Sequence, residues 1–378
     1  MKKILFISST LHTRKLGSYL VSNRNFKNIS QLGFEIENYI VKSTLLERIF
    51  NIVFFNRLCC SSNKIEKDII KKINLERYDL IFIDNSGFGY LVEKIKTVFE
   101  NIKIIVFCHD VNYYLFSSLL LEYRKERFSL EKLLRVLIIK KEIYNARINE
   151  EKSFKFCDKI ITLNNRDTNL VKEKYGYISS KEIGITLEEL QNSKEKKINN
   201  KEFKLLFVGA IGLKANVSGI EFFIKEILPK IECRLIIVGK GMEKKKKEFE
   251  KINSKVEVIG TVEKLDEYYL ESNAVIAPIF AGGGMKVKTA EALSCGKTVF
   301  GTTEAFEGYE VDYKKVGGLC NTAEEFIESI NKYIEWWKNN DTPIFNEYSY
   351  QIFKEKYSYE ASLKKFKEVF EELEEMEK

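Results

Sequence analysis

Residues 279–301 combine, within one short stretch, residue types that suit the binding of a phosphate group. The stretch contains, in order, Gly282, Gly283, Gly284, Met285, Lys286, Lys288 and Glu291. Glycines let the backbone approach a ligand closely, and the free N–H groups and dipole at a helix start attract anions. Two lysines within five residues of the glycines add positive charge at the same place. The segment therefore predicts a cradle for a pyrophosphate group.

The order of residues in this stretch resembles the donor-binding signature of the group-1, family 4-like glycosyltransferases of the GT-B fold, in the subclass that reads GGG-x-Lys-x-Lys-x-x-Glu-Ala. The resemblance implies that Glu291 holds the ribose of a nucleotide through its carboxylate. Lys286 and Lys288 are expected to face the charge that grows on a departing diphosphate. Spacing leaves open which lysine faces inward, since residues two apart share a face of a strand but not of a helix.

The resemblance extends over most of the chain and assigns further residues. Residues 205–229 resemble the opening of the family's second domain, with Gly209 and Asn216 as donor-binding positions. His109 follows an apolar strand, where the family often has a histidine beside the reacting sugar. Gly17 and Ser18 stand where the family usually has two glycines that face the donor phosphates and the acceptor. Many relatives have an acidic residue at the position of Gly283, so this chain departs from their two-glutamate motif.

Apolar strand-like runs alternate with helix-like runs in both halves of the chain, which is typical of parallel sheets covered by helices on both faces. The predicted fold class is α/β, and the resemblance specifies a GT-B fold of two Rossmann-like, doubly wound domains facing across a cleft, with ligands at the carboxyl ends of the strands. We expect an acceptor domain over residues 1–185, a linker over 190–202 and a donor domain over 203–345. Residues 346–378 are expected to form a helix that crosses back to the first domain.

Composition limits the partners of the protein. The net charge of +7 on 378 residues is too small to argue for nucleic acid, although it suits a phosphate-bearing ligand or an anionic membrane. The seven cysteines show no metal-ligand or redox spacing, and no Asp-x-Asp motif is present, so we expect no bound metal and no cofactor beyond the nucleotide-sugar substrate. The absence of a signal peptide or transmembrane run favours a cytoplasmic location.

Two apolar segments that also carry basic residues, 44–60 and 128–142, allow two interpretations. In the first interpretation, each segment is a helix that lies on the inner face of a membrane, near a lipid-linked acceptor. In the second, each is a buried helix of the first domain.

The resemblance predicts an enzyme that moves a sugar from a nucleotide-diphosphate donor to a glycan or lipid-linked glycan, in cell-surface polysaccharide synthesis, with retention and without a metal. Two alternatives use the same fold. A nucleotide-sugar 2-epimerase would need acid and base carboxylates in the cleft, and a scaffold protein would bind nucleotide-sugar without turning it over.

Overall fold

A computed structural model describes residues 2–11, 17–58, 61–124, 129–189, 202–340 and 345–375. The chain forms two compact units, one made of residues 1–184 and 362–378 and the other of residues 185–361. The predicted linker at 190–202 lies outside the described residues except for its last position.

The first unit contains one six-stranded parallel sheet with strand order β2-β1-β3-β4-β5-β6. Its strands are β1 (Lys3–Ser8), β2 (Glu35–Ile40), β3 (Leu80–Ile83), β4 (Lys103–Cys108), β5 (Lys159–Thr162) and β6 (Lys181–Glu182). Its helices are α1 (Gly17–Gln31), α2 (Leu45–Phe55), α3 (Asn63–Glu76), α4 (Gly89–Val98), α5 (Asn112–Arg124), α6 (Leu130–Phe156) and α7 (Asn165–Tyr175). The central strands are buried on both faces, which explains their continuous apolar sequences.

The second unit repeats this plan, with strand order β12-β11-β10-β7-β8-β9 and every pair parallel. Its strands are β7 (Lys204–Val208), β8 (Arg234–Val238), β9 (Val256–Gly260), β10 (Ala274–Ala277), β11 (Thr298–Gly301) and β12 (Gly317–Leu319). Its helices are α8 (Lys214–Phe222), α9 (Lys246–Ile252), α10 (Asp266–Glu271), α11 (Val287–Ser294), α12 (Tyr313–Val316), α13 (Ala323–Asn339) and α14 (Glu347–Ile352). The predicted fold class, two doubly wound parallel-sheet domains, is confirmed.

The last helix, α15 (Tyr359–Glu375), joins the first unit only from residue 362 onward. There its Phe366 ring lies 6.3 Å from the Phe82 ring and 6.5 Å from the Phe107 ring, measured between centroids. Residues 346–361, predicted to cross back with it, pack instead on the second unit. The N–H of Asn346 donates to the carbonyl of Gly296 at 2.6 Å, which anchors this stretch beside α11.

Candidate functional site

The glycine-rich segment lies at the point where the second sheet reverses its strand order. From β7 the chain adds β8 and β9 on one side, and then returns to add β10, β11 and β12 on the other. In such sheets, ligands bind at the carboxyl ends of the strands beside this reversal. Gly209 directly follows β7, and the three glycines follow β10, so the predicted phosphate cradle borders the reversal on both sides.

The backbone of the glycine loop has the geometry that only glycine adopts readily. Gly282 has a φ of +154° and Gly284 a φ of +58°. The loop then passes through Lys286, which is extended, into α11. No described side chain caps the start of α11, and the N–H of Thr289 donates to the Lys286 carbonyl at 3.0 Å. The N–H groups that precede Thr289 at this helix start are the ones that could meet an anion. The Tyr309 hydroxyl donates to the Lys286 carbonyl at 2.7 Å and fixes this junction.

Lys286 turns back over the loop that precedes it. Its Nζ donates to the carbonyls of Gly283 and Gly284 at 3.2 and 2.7 Å, and it forms a 2.7 Å ion pair with Glu304. Glu304 lies just after β11, and its Oε1 is 3.4 Å from where a Cβ on Gly282 would be. Glu304 was not predicted from the sequence. The signal available was an acidic residue soon after a strand-like run in the second half.

Lys288 points in a different direction, toward the first helix of the second unit. Its Nζ donates to Oδ1 of Asn216 at 2.7 Å and lies 4.8 Å from the centroid of the Phe207 ring. Burial lowers the pKa of Lys288 to about 7, and repulsion from Lys286 acts in the same direction, while Glu291 opposes both. Lys288 therefore changes its charge near neutral pH.

Glu291 lies one helical turn after Lys288 and is oriented by a buried tyrosine. The Tyr269 hydroxyl donates to Glu291 Oε2 at 2.9 Å, and its oxygen also lies 3.3 Å from the Lys288 carbonyl oxygen. Burial raises the pKa of the Glu291 carboxyl, against the hydrogen bond from Tyr269 and the charge of Lys288. Tyr269, on α10, was not predicted, because nothing in its sequence neighbourhood marks it.

Asn216 and Gly209 support this group of side chains from β7 and α8. The Asn216 amide donates to the Ala210 carbonyl at 3.0 Å while its oxygen accepts from Lys288. A Cβ on Gly209 would lie 2.9 Å from the Asn216 side chain, so only glycine leaves room for that arrangement. The structure thus places Asn216 as the residue that holds Lys288.

Met285 is turned away from the loop surface. The residue is buried, and its sulfur accepts the backbone N–H of Ile185 at 3.3 Å. Of the predicted positions in this segment, Met285 serves the packing of the second unit, whereas the two lysines and Glu291 bond to polar groups of the loop and of neighbouring elements.

In the first unit, His109 belongs to a buried polar cluster at the carboxyl ends of β1, β3 and β4. Its Nε2 lies 3.0 Å from Oδ1 of Asp84. Asp84 also accepts hydrogen bonds from Asn25 and Ser8, both at 2.9 Å. Asp84 was not predicted, although its place directly after an apolar strand matches that of His109. The cluster fixes the imidazole through a carboxylate that has three partners.

Gly17 and Ser18 form the first turn of α1 rather than a free loop, since the helix begins at Gly17. The residues between β1 and this helix, 12–16, lie outside the described residues. Within the described ranges, no three His, Cys, Asp or Glu side chains converge in a way that suits a metal ion. None of the described helices has the length and apolar content to span a membrane.

Comparison with known proteins supports the fold and the class. Residues 202–335 match the family model for glycosyl transferases group 1. An uncharacterized glycosyltransferase of Methanocaldococcus jannaschii is 27% identical over 384 residues, covering 95% of this chain and 88% of that protein.

Two solved structures show the same fold at low identity. Sucrose-phosphate synthase from Thermosynechococcus elongatus superposes with a TM-score of 0.73 at 12% identity, over 99% of both chains. HepE of Anabaena, solved in complex with UDP, gives a TM-score of 0.63 at 14% identity, over 98% of this chain and 100% of that one.

Residues 202–335 of the second unit therefore carry the match to glycosyl transferases group 1, and the chain has the same two-domain fold as these solved structures. The predicted resemblance is confirmed at that level.

Proposed function

We propose that this protein transfers a sugar from a nucleotide-diphosphate donor, held by the second unit, to a glycan or lipid-linked glycan acceptor. The observation that carries the proposal is that Lys286, Lys288 and Glu291 all lie on the short stretch that runs from the glycine loop into α11, at the reversal of the sheet. Breaking the bond between sugar and diphosphate leaves negative charge on the diphosphate. Two cations and free helix N–H groups lower the energy of that charge as it develops.

In this proposal each side chain has a defined part. Glu291, oriented by Tyr269, accepts hydrogen bonds from the ribose hydroxyls of the nucleotide. Lys288, held by Asn216, and Lys286, beside the glycines, bind the diphosphate. The transfer proceeds without a bound metal, because the cations of the chain itself meet the leaving group. His109, fixed by Asp84, contacts the transferred sugar.

By its resemblance to group-1 enzymes, we further propose that the reaction retains the configuration of the sugar and serves cell-surface polysaccharide synthesis. The reaction would take place in the cytoplasm, at the inner face of the membrane, where a lipid-linked acceptor is reached. UDP is the first nucleotide to test, because HepE was solved with it.

The test combines donor binding with turnover. A thermal-shift screen against UDP, GDP, ADP, CMP and their sugar conjugates should show a selective rise in Tm with one diphosphate, since a ligand that binds the native state stabilises it. Glu291→Ala should remove that shift and abolish transfer. Glu271→Ala, an exposed glutamate of the neighbouring helix α10, is the matched control and should change neither.

The alternatives predict different outcomes of the same assay. An epimerase would release free nucleotide diphosphate and leave no acceptor product, and a scaffold would bind nucleotide without turnover on any acceptor pool. Near-normal transfer by Glu291→Ala would refute the proposed donor site.

A further inference from the structure

Helix α2 exposes almost its entire apolar sequence. None of its residues is buried, and seven of its large apolar side chains are between 41% and 80% exposed. For the part of residues 44–60 that forms α2, this excludes the interpretation as a buried helix. The side chains recur at spacings of three and four residues, as in Leu46, Phe50 and Phe54, so they form a stripe along one face. Such contiguous exposed apolar surface is rare on soluble monomers and marks an interaction site.

The start of helix α6 presents a second stripe of the same kind. Five large apolar side chains in residues 130–138 are between 41% and 71% exposed, including Leu130, Leu134 and Leu137. Their spacing again follows the helical repeat. We call the exposed apolar side chains of residues 45–55 and 130–138 together the apolar surface.

The two helices are fixed to one another, so the apolar surface is a property of the folded unit. Asn145 and Asn149 of α6 donate to the carbonyls of Ile52 and Asn56 at the end of α2, both at 2.8 Å. At its other end, α2 begins with a capping box between Thr44 and Glu47. The helix therefore forms without an added partner, and its apolar stripe stays outward.

The charges beside the apolar surface distinguish between possible occupants. Residues 45–55 and 130–147 contain six basic side chains and three acidic ones, and Arg48 and Lys140 are exposed. A second copy would bring the same excess of positive charge against it. The headgroups of anionic phospholipids would instead meet the lysines and arginines while the apolar stripes enter the acyl boundary.

We propose that the apolar surface docks the first unit onto an anionic phospholipid bilayer, lying in the interface rather than crossing it. This inference rests on the proposed function, in that a membrane surface is where a lipid-linked acceptor would be presented. Beyond the proposed function, the apolar surface is the part of the protein that makes the membrane contact, and the contact selects anionic lipids.

The experiment measures flotation of the full chain, without any nucleotide, on vesicles of phosphatidylcholine alone or mixed in equal parts with phosphatidylglycerol. The wild type should float with the mixed vesicles, and high salt should weaken this binding. Phe50→Ser with Phe54→Ser should reduce the affinity by about tenfold or more, because two apolar side chains no longer enter the lipid. Arg48→Gln with Lys140→Gln should reduce binding to mixed vesicles by roughly tenfold or more.

The matched control is Leu75→Ser with Ile178→Ser, which removes two side chains that are 69% and 76% exposed in the same unit but outside the apolar surface. It should bind vesicles as the wild type does. Circular dichroism and Tm verify that every variant folds.

Equal binding by the Phe50, Phe54 variant and the wild type would overturn the inference. So would a wild type that ignores both vesicles but forms a dimer that this variant abolishes, which would make the apolar surface an interface between copies. Thermal shifts with UDP on the same variants separate the two proposals. Loss of vesicle binding with a normal nucleotide shift leaves the donor site intact, and the reverse result refutes the donor site alone.

Discussion

The low pKa of Lys288 predicts that binding of a diphosphate takes up a proton. In the free protein, burial and Lys286 lower the pKa of Lys288 to about 7, from 10.5. A bound diphosphate places negative charge beside this ammonium and raises its pKa again. At a pH between the pKa of Lys288 in the free protein and its pKa in the complex, the complex holds a proton that the free protein lacks. Binding must therefore weaken as the pH rises through this range, by linkage.

The size of the effect follows from the free pKa. If protonated Lys288 binds more than about a hundredfold more tightly than neutral Lys288, the apparent affinity follows the protonated fraction, which is about one half at pH 7 and about one in eleven at pH 8 for a pKa of about 7. The dissociation constant should rise roughly fivefold from pH 7 to 8 and about tenfold from pH 8 to 9. The terminal phosphate of a nucleoside diphosphate, with a pKa near 6, is already about nine-tenths ionised at pH 7 and adds little to the change above it.

Isothermal titration calorimetry with UDP, or with the diphosphate that the screen selects, measures both quantities. Titrations at pH 8 in buffers of different ionisation enthalpy should report the uptake of nearly one proton. Lys288→Met should bind more weakly and lose the pH dependence. Lys286→Met should keep the dependence but shift its midpoint to higher pH, because Lys286 is one cause of the low pKa of Lys288. The same pH dependence in Lys288→Met as in the wild type would refute the reasoning.

The unliganded protein should show the opposite trend in stability. The native pKa of Lys288 lies below its unfolded value, so the unfolded chain binds more protons between pH 7 and about 10. The contribution of this residue to the free energy of unfolding therefore rises with pH over that range. Urea denaturation of wild type and Lys288→Met at pH 7 and 9 isolates the contribution, and an equal pH trend in both would contradict it.

Three further predictions concern other residues of the two units. Glu304→Gln should tighten diphosphate binding by roughly threefold or more, because it removes a carboxylate that competes for the loop lysine; weaker binding by calorimetry would contradict this. Asp84→Asn should lower the free energy of unfolding in urea by about 2 kcal/mol, because one of the two oxygens that accept from His109, Asn25 and Ser8 becomes an NH2 donor and the negative charge is lost, while nucleotide binding stays unchanged. Gly219→Ala should cost about 2 kcal/mol or more, because its Cβ would lie 1.8 Å from the Pro278 carbonyl oxygen. Gly212→Ala, with no neighbour within 4 Å, is the control and should stay within about 0.5 kcal/mol.

The sheets were predictable from the sequence because their strands are buried on both faces. Strands such as β3 and β4 must then be apolar throughout, and that pattern is visible without knowledge of any partner. Short β6 and β12 carry no such pattern, because they lie at sheet edges. The sequence left open whether helix α2 is buried or exposed, since a stripe of apolar residues has the same pattern whether it faces a core or a partner.

The partners of the site residues were harder to predict than the residues themselves. Glu304 contacts Lys286 and Tyr269 contacts Glu291 from other strand–helix units, 18 and 22 residues away along the chain. Such contacts depend on which strands are neighbours and in what register. Sequence spacing describes only the distance along one element, so the local motif was visible while the side chains that orient it were not.

The two lysines point in different directions, which their spacing in the sequence does not predict. Lys286 is the last extended residue and Lys288 lies inside α11, so the boundary between loop and helix falls between them. Neither the rule for strands nor that for helices applies across such a boundary. One ammonium turns back to the glycines and Glu304, and the other extends to Asn216 on α8. A diphosphate at the start of α11 would therefore be bound by one lysine of the glycine loop, Lys286, and one lysine of the helix, Lys288. Loss of either lysine should leave a site that binds more weakly but still binds.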